Sequence, residues 1–148
     1  MKIGIDIGGS HIGIGLVENN GTIVLKKEIY IKEKTDIENR IERYITENVI
    51  EILQAYGVNQ IGIAVPGTVT DKKIIKAVNL GIVDYDLGNI LEQNLLNLGY
   101  TIDVKLKNDG KCAALAEQKY GALQGYDNSI FLCIGTGVGS AVIFDGKL

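Results

Sequence analysis

Three short stretches bring together residue types that handle phosphate oxygens and protons. Asp6-Ile7-Gly8-Gly9-Ser10 joins two strand-like runs. Glycines let the backbone approach a ligand closely, and consecutive amides can point at an anion. Asp6, at the end of the first run, could hold Mg²⁺ directly or through water; a plain hairpin turn with a structural aspartate accounts for the same residues. Gly135-Thr136-Gly137-Val138-Gly139 is a second turn of this kind. It lacks the Gly-Lys-Ser/Thr ending of a Walker loop. Ser140 stands where a dinucleotide fingerprint needs its third glycine, and the residues after it read as strand. Two such turns, one at the front of each of two domains, would grip a triphosphate from both sides. Asn108-Asp109 sits where a strand gives way to a helix. A carboxylate there can take a proton from a hydroxyl that Asn108 orients; helix capping is the competing role, and adjacent residues can divide the two.

The elements that must position these residues follow from hydrophobic period. Residues 2–8, 11–18 and 22–31 read as three strands, with Asn19-Asn20-Gly21 as a hairpin signal. Thr35-Asp36-Ile37-Glu38 has capping-box spacing. Ile37, Ile41, Tyr44, Ile45, Val49, Ile52, Leu53 and Tyr56 then recur at a helical period up to Gly57, a left-handed stop. Residues 60–65 form a buried strand ending at Pro66-Gly67. The stretch from Thr68 to Asp84 reads as irregular, with a small hairpin around Asp71-Lys72. Asp86 opens a helix to Leu98, closed by Gly99; residues 101–106 are a strand; a further helix runs from Asn108-Asp109 to Tyr120 and stops at Gly121. Residues 129–134 and 140–144 are two more strands.

The order βββαβαβα predicts an α/β fold: a mixed five-stranded sheet in the order 3-2-1, with parallel strands added beside strand 1 and helices flanking it. Strand, glycine turn and strand recur at residues 129–144 as at 2–18, so a second domain opens as the first did. The expected division is 1–121 and 122–148, across a stretch rich in glycine and polar residues.

Composition narrows the function classes. With 46% hydrophobic and 22% charged residues over 148, the chain has the makings of a packed core and not of a disordered segment. A net charge of −3 with no basic stripe argues against nucleic acid or anionic membrane as main partner; Lys72, Lys73 and Lys76 read as a solvated hairpin. No apolar run nears the ~20 residues of a membrane span, and Asp6 interrupts any signal-peptide core, so a cytoplasmic location is expected. Cys112 and Cys133 are too far apart for a metal or redox pair and read as buried thiols.

Taken in order, Asp6 to Ser10, Pro66-Gly67, Asn79-Leu80-Gly81, Asn108-Asp109-Gly110-Lys111-Cys112-Ala113-Ala114-Leu115-Ala116-Glu117 and Gly135 to Gly139 resemble the ROK family of sugar kinases and sugar-responsive repressors. The resemblance covers essentially the whole chain, and the Asn108–Glu117 segment is its specific part. It implies the ribonuclease H-like, actin-like ATPase fold. It implies that Asp6, Gly8, Gly9 and Ser10 meet ATP phosphates and Mg²⁺, and that Gly135, Thr136 and Gly137 form the second phosphate turn. By the same resemblance Gly67, Thr68 and Asn79 lie near the sugar, Asn108 binds its hydroxyls, and Asp109 is the catalytic base. Ser10 replaces the usual threonine and keeps its hydroxyl; His11 follows where a lysine or small polar residue is commoner and is read as structural. The family's further sugar ligands, its cysteine-rich zinc site and its adenine pocket would lie beyond Leu148.

The expected activity is therefore transfer of the γ-phosphoryl group of MgATP to a sugar hydroxyl, with this chain as the amino-terminal part. The alternatives are a sugar-sensing regulator of the same family lacking its DNA-binding segment, which would precede the first strand, and a non-catalytic fragment. The 148 residues alone are expected to be inactive and to form a homo-oligomer through the apolar hairpin at 129–144.

Overall fold

In a computed structural model of the chain, residues 1–31, 35–134 and 138–148 are described. They divide into two compact units, Met1–Lys107 and Asn108–Leu148.

Alternation at period two builds the sheet of the first unit. In β1 (Lys2–Ile7), β2 (His11–Val17) and β4 (Gln60–Val65), every second residue is a buried aliphatic: Ile3, Ile5, Ile7; Ile12, Ile14, Leu16; Ile61, Ile63, Val65. The opposite face of these strands carries Gly4, Asp6, Gly13, Gly15, Gly62 and Ala64. With β3 (Ile23–Tyr30) and β8 (Asp103–Asn108), the sheet order is β3-β2-β1-β4-β8. β1 is antiparallel to β2 and parallel to β4, so the first strand is central, as the order of elements predicts. Lys26, Lys27 and Glu28 on β3 suit an edge strand, because charge discourages further pairing.

Two helices join the aliphatic face in one core. α1 (Ile37–Tyr56) contributes Ile37, Ile41, Ile45, Val49, Ile52 and Leu53; α2 (Leu87–Asn97) contributes Leu87, Leu91 and Leu95. Gly57 ends α1 in the left-handed region, its N–H on the Leu53 carbonyl. The capping box does not form. Asp36 is the N-cap at φ 55° and makes no side-chain bond to the helix amides; that backbone conformation turns its carboxylate to the Asn39 amide at 2.7 Å. Among the described residues no helix is long and apolar enough to cross a membrane.

The stretch read as irregular is instead a second, three-stranded antiparallel sheet: β5 (Thr68–Val69), β6 (Ile74–Ala77) and β7 (Ile82–Tyr85), with a single 3-10 turn at Val78–Leu80. Its strands are too short to show a period. Tyr85 ties it to the helices: its hydroxyl donates to Glu42 Oε2 at 3.0 Å, and Asn94 Nδ2 donates to Glu42 Oε1 at 2.6 Å. Burial, then the Glu42 carboxylate, hold the phenol's pKa well above its ordinary value.

The second unit holds α3 (Asp109–Tyr120) and an antiparallel hairpin of β9 (Ser129–Ile134) and β10 (Val138–Ile143). α3 packs on β10, with Ala114, Ala141 and Ile143 buried. The other hairpin face exposes Ile130, Leu132, Ile134, Val138 and Val142. Neither cysteine is the buried thiol expected: Cys133 is exposed and Cys112 half-buried.

The period-two pattern makes a simple prediction. Ile63→Ala should cost about 2–5 kcal/mol of stability by opening a cavity in the core. Gly62→Ala, whose added Cβ meets nothing within 4 Å, should stay within about 0.5 kcal/mol. Urea unfolding of the two variants checks it; equal losses would contradict this assignment of faces.

Candidate active site

Three strands of the main sheet run the same way. β4 parallels β1, and the Asp103 N–H at the start of β8 donates to the Asn59 carbonyl just before β4, at 2.9 Å. The strands therefore finish at one edge, at Ile7, Val65 and Asn108. Ligands of open α/β sheets bind beyond the carboxyl ends of such strands.

Asp6 stands at that edge, exposed, with Gly13 beside it on β2 and Ala64 beside it on β4. A Cβ built on Gly13 would come no closer than 3.9 Å to the Cβ of Asp6. Both ladder neighbours of Asp6 are thus small residues. Among the described residues no three His, Cys, Asp or Glu side chains gather into a metal cluster. A single exposed carboxylate is the donor type that Mg²⁺ takes, one or two at a time, with phosphate and water completing its shell. The adjoining turn is tight: the Gly8 N–H donates to the His11 carbonyl at 2.9 Å, and Ser10 Oγ lies 3.3 Å from His11 Nδ1. His11 also meets the Tyr30 ring at 6.5 Å between centroids, a structural placement.

Beyond β4, Pro66, Gly67, Thr68, Lys76, Val78 and Asn79 enclose a cavity of about 210 Å³. Gly67, Thr68 and Asn79 are thereby brought together. Gly67 has φ +101°, and a Cβ on it would lie 2.2 Å from the Lys76 carbonyl. Val78–Leu80 turns over the buried Leu80, which holds Asn79 at the rim.

The hairpin that walls this cavity is tied at its tip. Leu106 N–H donates to the Asp71 carbonyl and Gly88 N–H to the Lys72 carbonyl, both at 2.8 Å. Lys72 Nζ donates to Glu92 Oε1, to the Val104 carbonyl at 2.7 Å, and to Asp103 Oδ1 at 3.5 Å. Glu92 Oε1 accepts the Val104 N–H at 2.8 Å as well. Lys72 is thus not the solvated side chain the lysine run suggests. Burial works against its charge, but the bonds and charges of Glu92 and Asp103 outweigh it and leave its pKa raised. Lys73, by contrast, forms a surface pair with Asp84 at 2.7 Å.

In the second unit, the capping role falls to Asn108. Asn108 is the N-cap of α3, its Oδ1 accepting the Lys111 N–H at 3.1 Å. Asp109 is the first helical residue and is exposed. Its Oδ1 accepts from Asn108 Nδ2 at 3.0 Å and from the Gly110 N–H at 2.8 Å. Gly135, Thr136 and Gly137 lie outside the described residues.

The sequence profile of the ROK family matches residues 2–148. The chain belongs to that family. Over 99% of its length it is 31% identical to the xylose repressor of Bacillus subtilis, covering 38% of that protein. It is 30% identical to the glucokinase of Thermotoga maritima, again over 99% of this chain and 45% of the other. Among solved structures, a ROK family glucokinase from Streptomyces griseus in complex with glucose and AMPPNP superposes with a TM-score of 0.83 at 31% identity, covering 99% of this chain and 45% of that one. The ROK chain spans less than half the length of these relatives. Its mixed sheet with flanking helices is that of the actin-like ATPase fold.

Lys76 and Val78 are cavity residues that sequence reasoning missed in this ROK chain, and Lys76 is the charged one. Lys76 reaches the site because β6 pairs with β5 and places it opposite Thr68. A run of three lysines carries no sign of that pairing.

Proposed function

We propose that the protein carrying this chain is an ATP-dependent sugar kinase. The observation that carries the reading is the shared edge of β1, β4 and β8: Asp6 and the Gly67–Asn79 cavity stand at it, and the chain passes from the end of β8 directly into Asn108-Asp109. The Streptomyces griseus glucokinase supports the pairing of a hexose with an adenine nucleotide on this fold.

In this reading Gly67, Thr68 and Asn79 hold the sugar, with Lys76 beside them. Asn108 orients the attacking hydroxyl. Asp109 Oδ1 is engaged by Asn108 and Gly110, so Oδ2 takes the hydroxyl proton. A carboxylate is a weak base and phosphoryl transfer is loose, so the carboxylate mainly orients and accepts the proton late. Gly9 and Ser10, with Gly8 closing the bend, and Gly135, Thr136 and Gly137 meet phosphate oxygens. Mg²⁺ held by Asp6 would neutralise charge on those oxygens. In this reading residues 1–121 are a first domain and 122–148 the opening of a second, although α3 packs with β10 in the unit Asn108–Leu148.

A sugar-sensing regulator is the second reading, favoured by the 31% identity to the xylose repressor. A coupled ADP-release assay on the intact protein separates them, with glucose, fructose, mannose, N-acetylglucosamine and N-acetylmannosamine as acceptors. The kinase reading expects turnover of about 1–100 per second with one of them. Sugar binding without ADP release would overturn it in favour of the regulator. The 148-residue polypeptide expressed alone should fall far below that rate, since it spans less than half the length of the kinase relatives it matches and would not close over bound nucleotide to exclude water. It should also self-associate through Ile130, Leu132 and Ile134, visible as a dimer or larger species in sedimentation; a monomer with kinase-range turnover would contradict both expectations.

A further inference from the structure

We propose that Lys72 is a positioning residue for the sugar: it locks the hairpin wall of the cavity against the strand that leads to the catalytic carboxylate. The inference rests on the kinase reading above. The β5–β6 hairpin has two ends with different jobs. Its root carries Thr68 and Lys76, which line the cavity; its tip, Asp71-Lys72, touches none of the cavity. The tip is nevertheless heavily bonded. Asp71 and Lys72 give their carbonyls to Leu106 and Gly88, and the Lys72 ammonium reaches Glu92, Asp103 and the Val104 carbonyl. Three of these partners, Asp103, Val104 and Leu106, belong to β8, which ends at Asn108. The fit is also steric: a Cβ on Gly88 would stand 2.9 Å from both the Cα and the carbonyl oxygen of Lys72, so α2 and the hairpin tip touch backbone to backbone.

A surface turn needs no such set of bonds merely to reverse direction. Their consequence is that the cavity wall and β8 cannot shift independently. Position matters at this scale, because a displacement of about 1 Å between reacting groups can cost about 10²-fold in rate. On the nucleotide side, Asp6 lies on β1 and the Gly8–Ser10 turn joins β1 to β2, whereas the Lys72 ammonium bonds to α2 and β8.

The test is steady-state kinetics of the intact protein with its best sugar, on wild type, Lys72→Met, Glu92→Gln and the Lys72→Met/Glu92→Gln pair, with Lys73→Met as control. Lys72→Met should lower kcat/KM for sugar by about 10- to 10²-fold while the KM for ATP stays within about twofold. Glu92→Gln keeps an oxygen for the Val104 N–H and drops the charge facing Lys72, so it should shift the sugar KM in the same direction by less. The double variant should lose less than the product of the two single effects, because the residues act as one unit. Lys73→Met, on the same hairpin but paired at the surface with Asp84, should match wild type. Unchanged sugar kinetics in folded Lys72→Met would overturn the inference, as would equal losses towards sugar and ATP, which mark a merely structural role. If Lys72→Met does not fold, Glu92→Gln alone decides by the same split between sugar and ATP. A wild type that neither binds nor phosphorylates any sugar of the panel would instead overturn the kinase reading, and this inference with it.

Discussion

Asp109→Asn in the intact protein should reduce turnover by about 10²- to 10⁴-fold, the usual worth of a positioned general base. Asparagine keeps the size and one carbonyl oxygen. That oxygen can still accept the bonds that Asn108 Nδ2 and the Gly110 N–H now give to Asp109 Oδ1. The start of α3 should therefore survive, because its cap is made by Asn108 and not by Asp109. What is lost is the second carboxylate oxygen, replaced by an amide that donates where the kinase reading has a hydroxyl proton received. Binding of an ATP analogue, measured by calorimetry, should be nearly unchanged, since the turn after Asp6 is untouched. A variant that retains more than about a tenth of wild-type turnover would remove Asp109 from the base role.

Gly67→Ala should be the most damaging small substitution in the first unit. Two costs add. At φ +101° a side chain is strained by about 1–3 kcal/mol. The new Cβ would also lie 2.2 Å from the Lys76 carbonyl and 3.1 Å from Ala77 Cα, both backbone atoms. Backbone held in the β5–β6 and β6–β7 pairings cannot step aside as a flexible side chain would. A loss of about 3 kcal/mol or more in urea unfolding is expected, with sugar binding lost at temperatures where the variant remains folded. Gly81→Ala is the natural comparison: its φ is +72°, but a Cβ there meets nothing within 4 Å, so only the strain remains, about 1–2 kcal/mol. Equal effects at the two positions would mean that the wall of the cavity yields freely.

The division between what was legible in the chain and what was not follows the range of the forces involved. Ile3, Ile5, Ile7 and Ile12, Ile14, Leu16 state their strands by a period of two, and Ile37 through Leu53 state a helix by 3.6, because each pattern is complete within one element. From those elements and their short connections, the central place of β1 and the parallel β4 beside it follow. The Asn108-Asp109 pair was readable for the same reason: a strand end, an N-cap and a first-turn carboxylate are local. Lys72 was not. Its partners Glu92, Asp103 and Val104 belong to α2 and β8, and only the packed chain brings them within bonding distance. Nor was Lys76, which enters the cavity through the register of two strands too short to announce themselves. Asp36 shows the limit from the other side: the capping-box residues are present, but the backbone enters the helix left-handed, and the side-chain geometry the motif requires is lost. Local sequence determined which residues could form elements and carry charge at their ends; tertiary pairing decided which of them share a cavity, because register and ion pairing depend on segments that the sequence keeps apart.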